Sequence, residues 1–156
     1  NYENLNNKFN CLGDYLLVYA YYIPPKMERT IVNYANKYAL NIVKVGYKNK
    51  LPGIDRTYVG PFEWLAAFKS AKAVITSTFH GTIFSILYEK KFITVGNDGI
   101  KNKASSLLNE LNLSNKYVEG GFKIHNLNEN INYDNVFKII NLMRNESSKF
   151  IKDSIV

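Results

Sequence analysis

Thr76-Ser77-Thr78-Phe79-His80-Gly81-Thr82-Ile83-Phe84-Ser85 gathers a histidine and several hydroxyls where the apolar run Ala73–Ile75 gives way to helical spacing. A strand ending there aims those groups at whatever binds its carboxyl edge. Thr78 is placed to cap the helix, and the amides of the next turn, lacking intrahelical partners, form a site for phosphate or carboxylate. The bland reading of His80 is a helix-start histidine bonded to a nearby carbonyl. The functional reading gains from its neighbours, because Thr78, Gly81, Thr82 and Ser85 are small or hydroxylic and permit close approach of a ligand.

Gly60-Pro61-Phe62-Glu63-Trp64 is a second candidate. Either Glu63 serves the dipole of a helix start while Trp64 packs at the rim, or Glu63 shares the sheet edge with His80 and accepts a proton from a hydroxyl. Gly96-Asn97-Asp98-Gly99 makes a third loop on that edge, with Lys101 and Lys103 behind it as solvated or phosphate-binding cations. Other chemistries lack their residues. Two histidines and one cysteine cannot build a structural zinc site, and His125, after Gly120-Gly121 in an irregular region, has no partner at ligand spacing. No G-x-G-x-x-G follows the first strand, and neither a Walker pattern nor a G-x-S-x-G elbow occurs.

The elements that must position these groups alternate. Asp14–Tyr22 is a dense apolar and aromatic run closed by Pro24-Pro25, as expected of a strand buried on both faces. Met27, Thr30, Ile31, Tyr34 and Tyr38 then recur at helical spacing. Asn41–Val45 reads as the second strand, Gly46–Thr57 as a polar loop and Tyr58-Val59 as a brief third strand. Pro61 opens a helix carrying Phe62, Leu65, Ala66 and Phe68. Ala73–Thr76 is the fourth strand, Gly81–Glu89 the next helix and Phe92–Val95 the fifth strand. Leu107, Leu108 and Leu111 mark a further helix, and Tyr117-Val118 a sixth, edge strand. Asp134 caps a last helix whose apolar face is Val136, Ile139, Ile140, Met143, Phe150 and Ile151.

Such alternation with short connections implies right-handed crossovers and an open parallel sheet. The expected fold is α/β, a Rossmann-like sheet of five to six strands with helices on both faces. With strand order 3-2-1-4-5-6, the loops Tyr22–Lys26 and Ser77–Gly81 flank the crevice at the switch point.

Composition sets the frame. The chain has 156 residues, 46% hydrophobic, enough for one well-packed domain and short for two. The charge of +7 is spread over scattered lysines, which favours attraction to anionic ligands over a nucleic-acid groove. A lone Cys11 excludes an internal disulfide framework, and no apolar run reaches the length of a membrane span. We expect a cytoplasmic location. Asn1 in place of Met, and a polar leader over residues 1–12, lead to the expectation of one domain cut from a longer protein.

GPFEWLAAFKSAKAVITSTFHGTIFSILYEKKFITVGN, from Gly60 to Asn97, resembles the polysaccharide pyruvyl transferase family in its hydroxyl-Phe-His-Gly turn between a strand and a Phe-Ser-Ile helix. DYLLVYAYYIPPK upstream is similar to the first strand of that family's carboxyl-terminal half, and SSLLNELNL downstream fits as well. The resemblance implies the carboxyl-terminal half of a GT-B-like enzyme, incomplete and inactive alone without its amino-terminal half. It implies a pyruvyl transferase that moves pyruvyl from phosphoenolpyruvate onto a pair of sugar hydroxyls as a ketal, in cell-surface polysaccharide synthesis. No cofactor is implied. The acceptor would be a glycan or lipid-linked sugar, which allows a place at the inner face of the membrane.

The resemblance implies that His80, with the backbone around Thr78, Phe79 and Gly81, helps bind phosphoenolpyruvate. The residues themselves add Thr82, Ser85 and Lys103 as expected substrate contacts and Glu63 as a further catalytic group. The chain departs from the expected pattern where Ser77-Thr78 stands for Asp-Ser and Lys103 for Arg. Two other readings stand beside it. One is a GT-B glycosyltransferase domain holding a nucleotide sugar, and the other a non-catalytic anion- or sugar-binding module.

Overall fold

A computed structural model describes Phe9 and residues 11–154; the remainder of the Asn-rich opening lies outside the described residues. Among the described residues, six parallel strands form one open sheet in the order β3-β2-β1-β4-β5-β6. β1 is Tyr15–Tyr19, β2 Asn41–Val45, β3 Ile54–Arg56, β4 Ala73–Thr76, β5 Lys91–Val95 and β6 Tyr117–Val118. The helices are α1 Pro25–Lys37, α2 Pro61–Ser70, α3 Phe79–Leu87, α4 Lys101–Glu110, α5 Ile124–Asn128 and α6 Tyr133–Ser154. The fold is thus α/β and Rossmann-like, with the strand order anticipated from the sequence.

β1 shows why its sequence is apolar throughout. Tyr15 and Leu17 enter one core and Leu16, Val18 and Ala20 the other, because successive side chains of a strand point to opposite faces. The first core takes α2, α3, α4 and α6 through Phe68, Ile86, Leu108 and Val136, and the second takes α1 and α5 through Ile31 and Leu127. Phe9 is buried in the first core against the Tyr15 ring, so part of the expected leader belongs to the packed structure.

Several boundaries differ from the sequence reading. The third strand is Ile54–Arg56, inside the expected polar loop, and Tyr58-Val59 lies beyond it. β3 is an edge strand with exposed Asp55 and Arg56, so it has none of the burial pattern that marks a strand in sequence. β1 stops at Tyr19 because the chain turns outward, exposing Tyr21 and Tyr22 before Pro24 and Pro25 start α1. α3 begins two residues earlier than expected, at Phe79, so His80 stands in its first turn. His125 lies in the short helix α5, not in irregular chain. On α6 the apolar face packs only at its start: Val136 is buried and Met143 partly so, whereas Phe150 and Ile151 are exposed. Among the described residues, no helix is long and apolar enough to cross a membrane.

Candidate functional site at the carboxyl edge of the sheet

The turn from β4 into α3 is held from beneath by hydroxyls. Thr76 donates from Oγ1 to the Tyr19 carbonyl at 2.8 Å and accepts the Thr78 amide at 3.1 Å. Thr78, with extended backbone, accepts the Gly81 amide on its own hydroxyl at 2.9 Å. That is the N-cap expected from the sequence, and it uses one of the donors that a helix start leaves unpaired. The Phe79 and His80 amides precede Gly81 in this first turn, where an anion is favoured by unpaired N–H groups and the helix dipole. His80 is exposed beside them.

Gly81 is required by contact, not by a special φ. A Cβ there would stand 2.1 Å from Thr76 Oγ1 and 2.8 Å from Thr78 Oγ1. Only a residue without a side chain lets α3 sit this close to the end of β4.

Thr82 and Ser85, two expected ligand contacts, point inward. Both are fully buried, with Thr82 bonded to the Thr78 carbonyl at 3.0 Å and to the Thr94 hydroxyl at 2.8 Å. Ser85 donates to the Gly81 carbonyl at 2.7 Å. Glu63 accepts the Gly60 amide at 2.9 Å in a capping arrangement and lines a cavity with Arg56 and Tyr58, apart from the one that His80 lines. Lys103 is exposed on the first turn of α4. Its neighbour Lys101 instead pairs with Glu119 at 3.2 Å and joins Asp98 in lining a polar cavity of about 370 Å³.

The loops after β1, β4 and β5 are bonded into one edge. Ser77 accepts the Tyr22 amide on its hydroxyl at 3.2 Å, and Asn97 donates to the Ser77 carbonyl at 3.0 Å. Asn97 Oδ1 also accepts from the Tyr21 hydroxyl and the Gly99 amide. The two loops expected to flank the crevice therefore meet each other directly.

Next to this edge opens a cleft of about 430 Å³, lined by His80 with Tyr19, Tyr47, Thr57, Trp64 and Phe84. Beyond His80 itself, the sequence pointed to Trp64 as a rim residue and to none of the others as a wall of a cleft. Their rings lock one another, with Tyr19 5.2 Å from Tyr47, 5.1 Å from Trp64 edge-on, and Trp64 4.8 Å from Phe84 edge-on. Burial and the adjacent Tyr47 hydroxyl push the Tyr19 phenol up to about 12. The wall formed by the loop after β2 is pinned by Lys44, whose ammonium donates to the Leu51 carbonyl at 3.0 Å and reaches Asp55 at 3.9 Å. Asp55 in turn accepts the Thr57 amide at 2.9 Å and its hydroxyl, and those bonds hold its carboxyl below the usual range. Among the described residues, no group of three His, Cys, Asp or Glu side chains is placed to hold a metal ion.

A capped helix start, an exposed histidine and an open cleft meet at the carboxyl edge of a Rossmann-like sheet, the edge at which such folds bind their ligands. The family model described as polysaccharide pyruvyl transferase matches residues 2–99, more than half of the chain and the whole span from β1 through the His80 turn to β5. The chain belongs to that family. No curated protein matches it.

Proposed function

We propose that this chain is the carboxyl-terminal half of a polysaccharide pyruvyl transferase, and that the start of α3 holds phosphoenolpyruvate. Membership of a transferase family supports the class. The observation that carries the donor is the exposed imidazole of His80 in the first turn of a helix capped by Thr78, a setting that suits a phosphate and a carboxylate together. The facing half of the protein would supply the rest of the cleft.

In this reaction a proton adds to the methylene carbon of phosphoenolpyruvate, and the central carbon becomes electrophilic. One sugar hydroxyl attacks it, phosphate leaves with its bridging oxygen, and the second hydroxyl closes the ketal. One hydroxyl proton ends in the new methyl group and the other on phosphate. His80 serves as the acid that protonates the methylene or as a clamp on the phosphate. Thr78 and Gly81 act by shaping the turn, Thr82 and Ser85 by anchoring it from within. Lys103 is left as a long-range cation and Glu63 as a cap of α2.

The test is a titration of the 156-residue chain with phosphoenolpyruvate, and separately with nucleotide sugars, following the ring signals of His80. The expected result is a saturable shift with phosphoenolpyruvate that weakens about tenfold or more in the neighbouring amides after His80→Ala, the loss of a charge-assisted contact. A response to nucleotide sugar alone would replace this reading with a glycosyltransferase donor site.

A further inference from the structure

We infer that the aromatic cleft beside His80 is a subsite for an uncharged pyranose ring, the acceptor sugar; the inference rests on the pyruvyl-transfer reading above. Nothing in that reading locates the acceptor. The lining does so by its chemistry. Among the described residues, the cleft is lined by no Lys, Arg, Asp or Glu, which sets it apart from the neighbouring cavity of Asp98, Lys101 and Glu119. A diphosphate or other multiply charged ligand would therefore enter without a counter-charge except at His80.

What the cleft offers is ring faces and a few polar tips. Tyr19, Tyr47, Trp64 and Phe84 supply apolar area, and the hydroxyls of Tyr47 and Thr57 and the imidazole of His80 supply hydrogen bonds. A pyranose has that same division, with a C–H face and a rim of hydroxyls. The cleft volume of about 430 Å³ falls in the range of small-molecule sites. The Trp64 indole N–H is buried beside the Tyr19 hydroxyl, so the two side chains form one continuous wall of the cleft.

The rigidity is also built in. Gly46 has φ of +76°, and a Cβ there would come within 2.6 Å of the Tyr19 ring, so the turn after β2 is made to let that ring stand beside Tyr47. His80 belongs both to this cleft and to the turn proposed for phosphoenolpyruvate. A sugar in the cleft thus lies against the group that meets the donor, as ketal formation requires.

Trp64 is the only tryptophan of the chain, so its emission reports on this cleft alone. The experiment titrates the chain with methyl β-glucopyranoside, methyl β-galactopyranoside and methyl β-mannopyranoside, with uridine diphosphate as the contrasting ligand. At least one glycoside should change Trp64 emission saturably, and Tyr47→Ala should weaken that response by about tenfold or more, as loss of an aromatic anchor does. Val59→Phe, which fills the cleft from another wall, should abolish it and carries the test if Tyr47→Ala unfolds. Silence with all three glycosides, a response to uridine diphosphate alone, or wild-type binding by the folded variants would overturn the subsite. The His80 ring signals answer separately: glycoside binding without any phosphoenolpyruvate response would uphold the subsite and strike the donor reading.

Discussion

Asn97 donates from its side-chain amide to the main-chain carbonyl of Ser77 at 3.0 Å, joining two turns that are 20 residues apart. The other end of the same amide accepts from Tyr21 and Gly99, so one side chain ties the loops after β1, β4 and β5. Asn97→Asp keeps the shape but sets an oxygen against the Ser77 carbonyl. It should cost about 1–3 kcal/mol, the price of a part-buried acceptor left facing another acceptor. Urea unfolding measures this, and an unchanged midpoint would show that the amide does not hold the edge.

Gly81→Ala and Gly121→Ala form a matched pair. The first puts a methyl group 2.1 Å from Thr76 Oγ1, while the second meets nothing within 4 Å. The expected losses are about 1–3 kcal/mol or more for Gly81 and within about 0.5 kcal/mol for Gly121. Equal midpoints in thermal melts would contradict the close packing of α3 on β4.

The Thr78 cap can be removed and restored without touching His80. Thr78→Val loses the acceptor for the Gly81 amide and should destabilise by about 1 kcal/mol, and Thr78→Ser should recover most of it. Amide hydrogen exchange at Gly81 checks the mechanism: faster exchange in the valine variant alone is expected, and protection unaltered in both would refute the capping role.

Stability should fall at alkaline pH because several tyrosines are harder to ionise in the folded chain. Burial raises Tyr15, Tyr19, Tyr34 and Tyr133 above the ordinary 10.0. With the folded values raised, their contribution is complete below that ordinary value and is lost as pH rises through the folded values. Unfolding midpoints taken at rising pH should hold steady to about 9–10 and then decline. Tyr15→Phe, which also gives up the bond to the Ala67 carbonyl, should start lower and decline less steeply. An identical slope in wild type and variant would remove Tyr15 from the account.

Much of the architecture was legible because burial and period coincide in it. β1 is apolar on both faces and lies mid-sheet, and the alternation of strand and helix leaves few ways to connect the sheet. β3 was misplaced because an exposed edge strand carries polar residues, while the neighbouring Tyr58 and Val59 have strand propensity without strand pairing. The capping role of Thr78 was readable from its position. The inward orientation of Thr82 and Ser85 was not, since hydroxyls that bond main-chain carbonyls within a helix look in sequence like hydroxyls free for a ligand. The cleft was invisible because its walls come from β1, the loops after β2 and β3, α2 and α3, and its rings taken singly read as core aromatics.

β6 consists of two residues, and β5 meets them at Thr94 with Tyr117 and Val95 with Val118. The family match ends at residue 99, before either partner. A protein truncated at the end of its own family signature would bare the outer ladder of β5, withdraw the Val118 carbonyl from the Gly96 amide and strip Leu108, Leu111 and Val136 from the first core. Such a fragment would carry the whole His80 turn and still present an open, sticky sheet margin of the kind that pairs with other chains. The recognisable part of this sequence and its foldable part are therefore different lengths of chain.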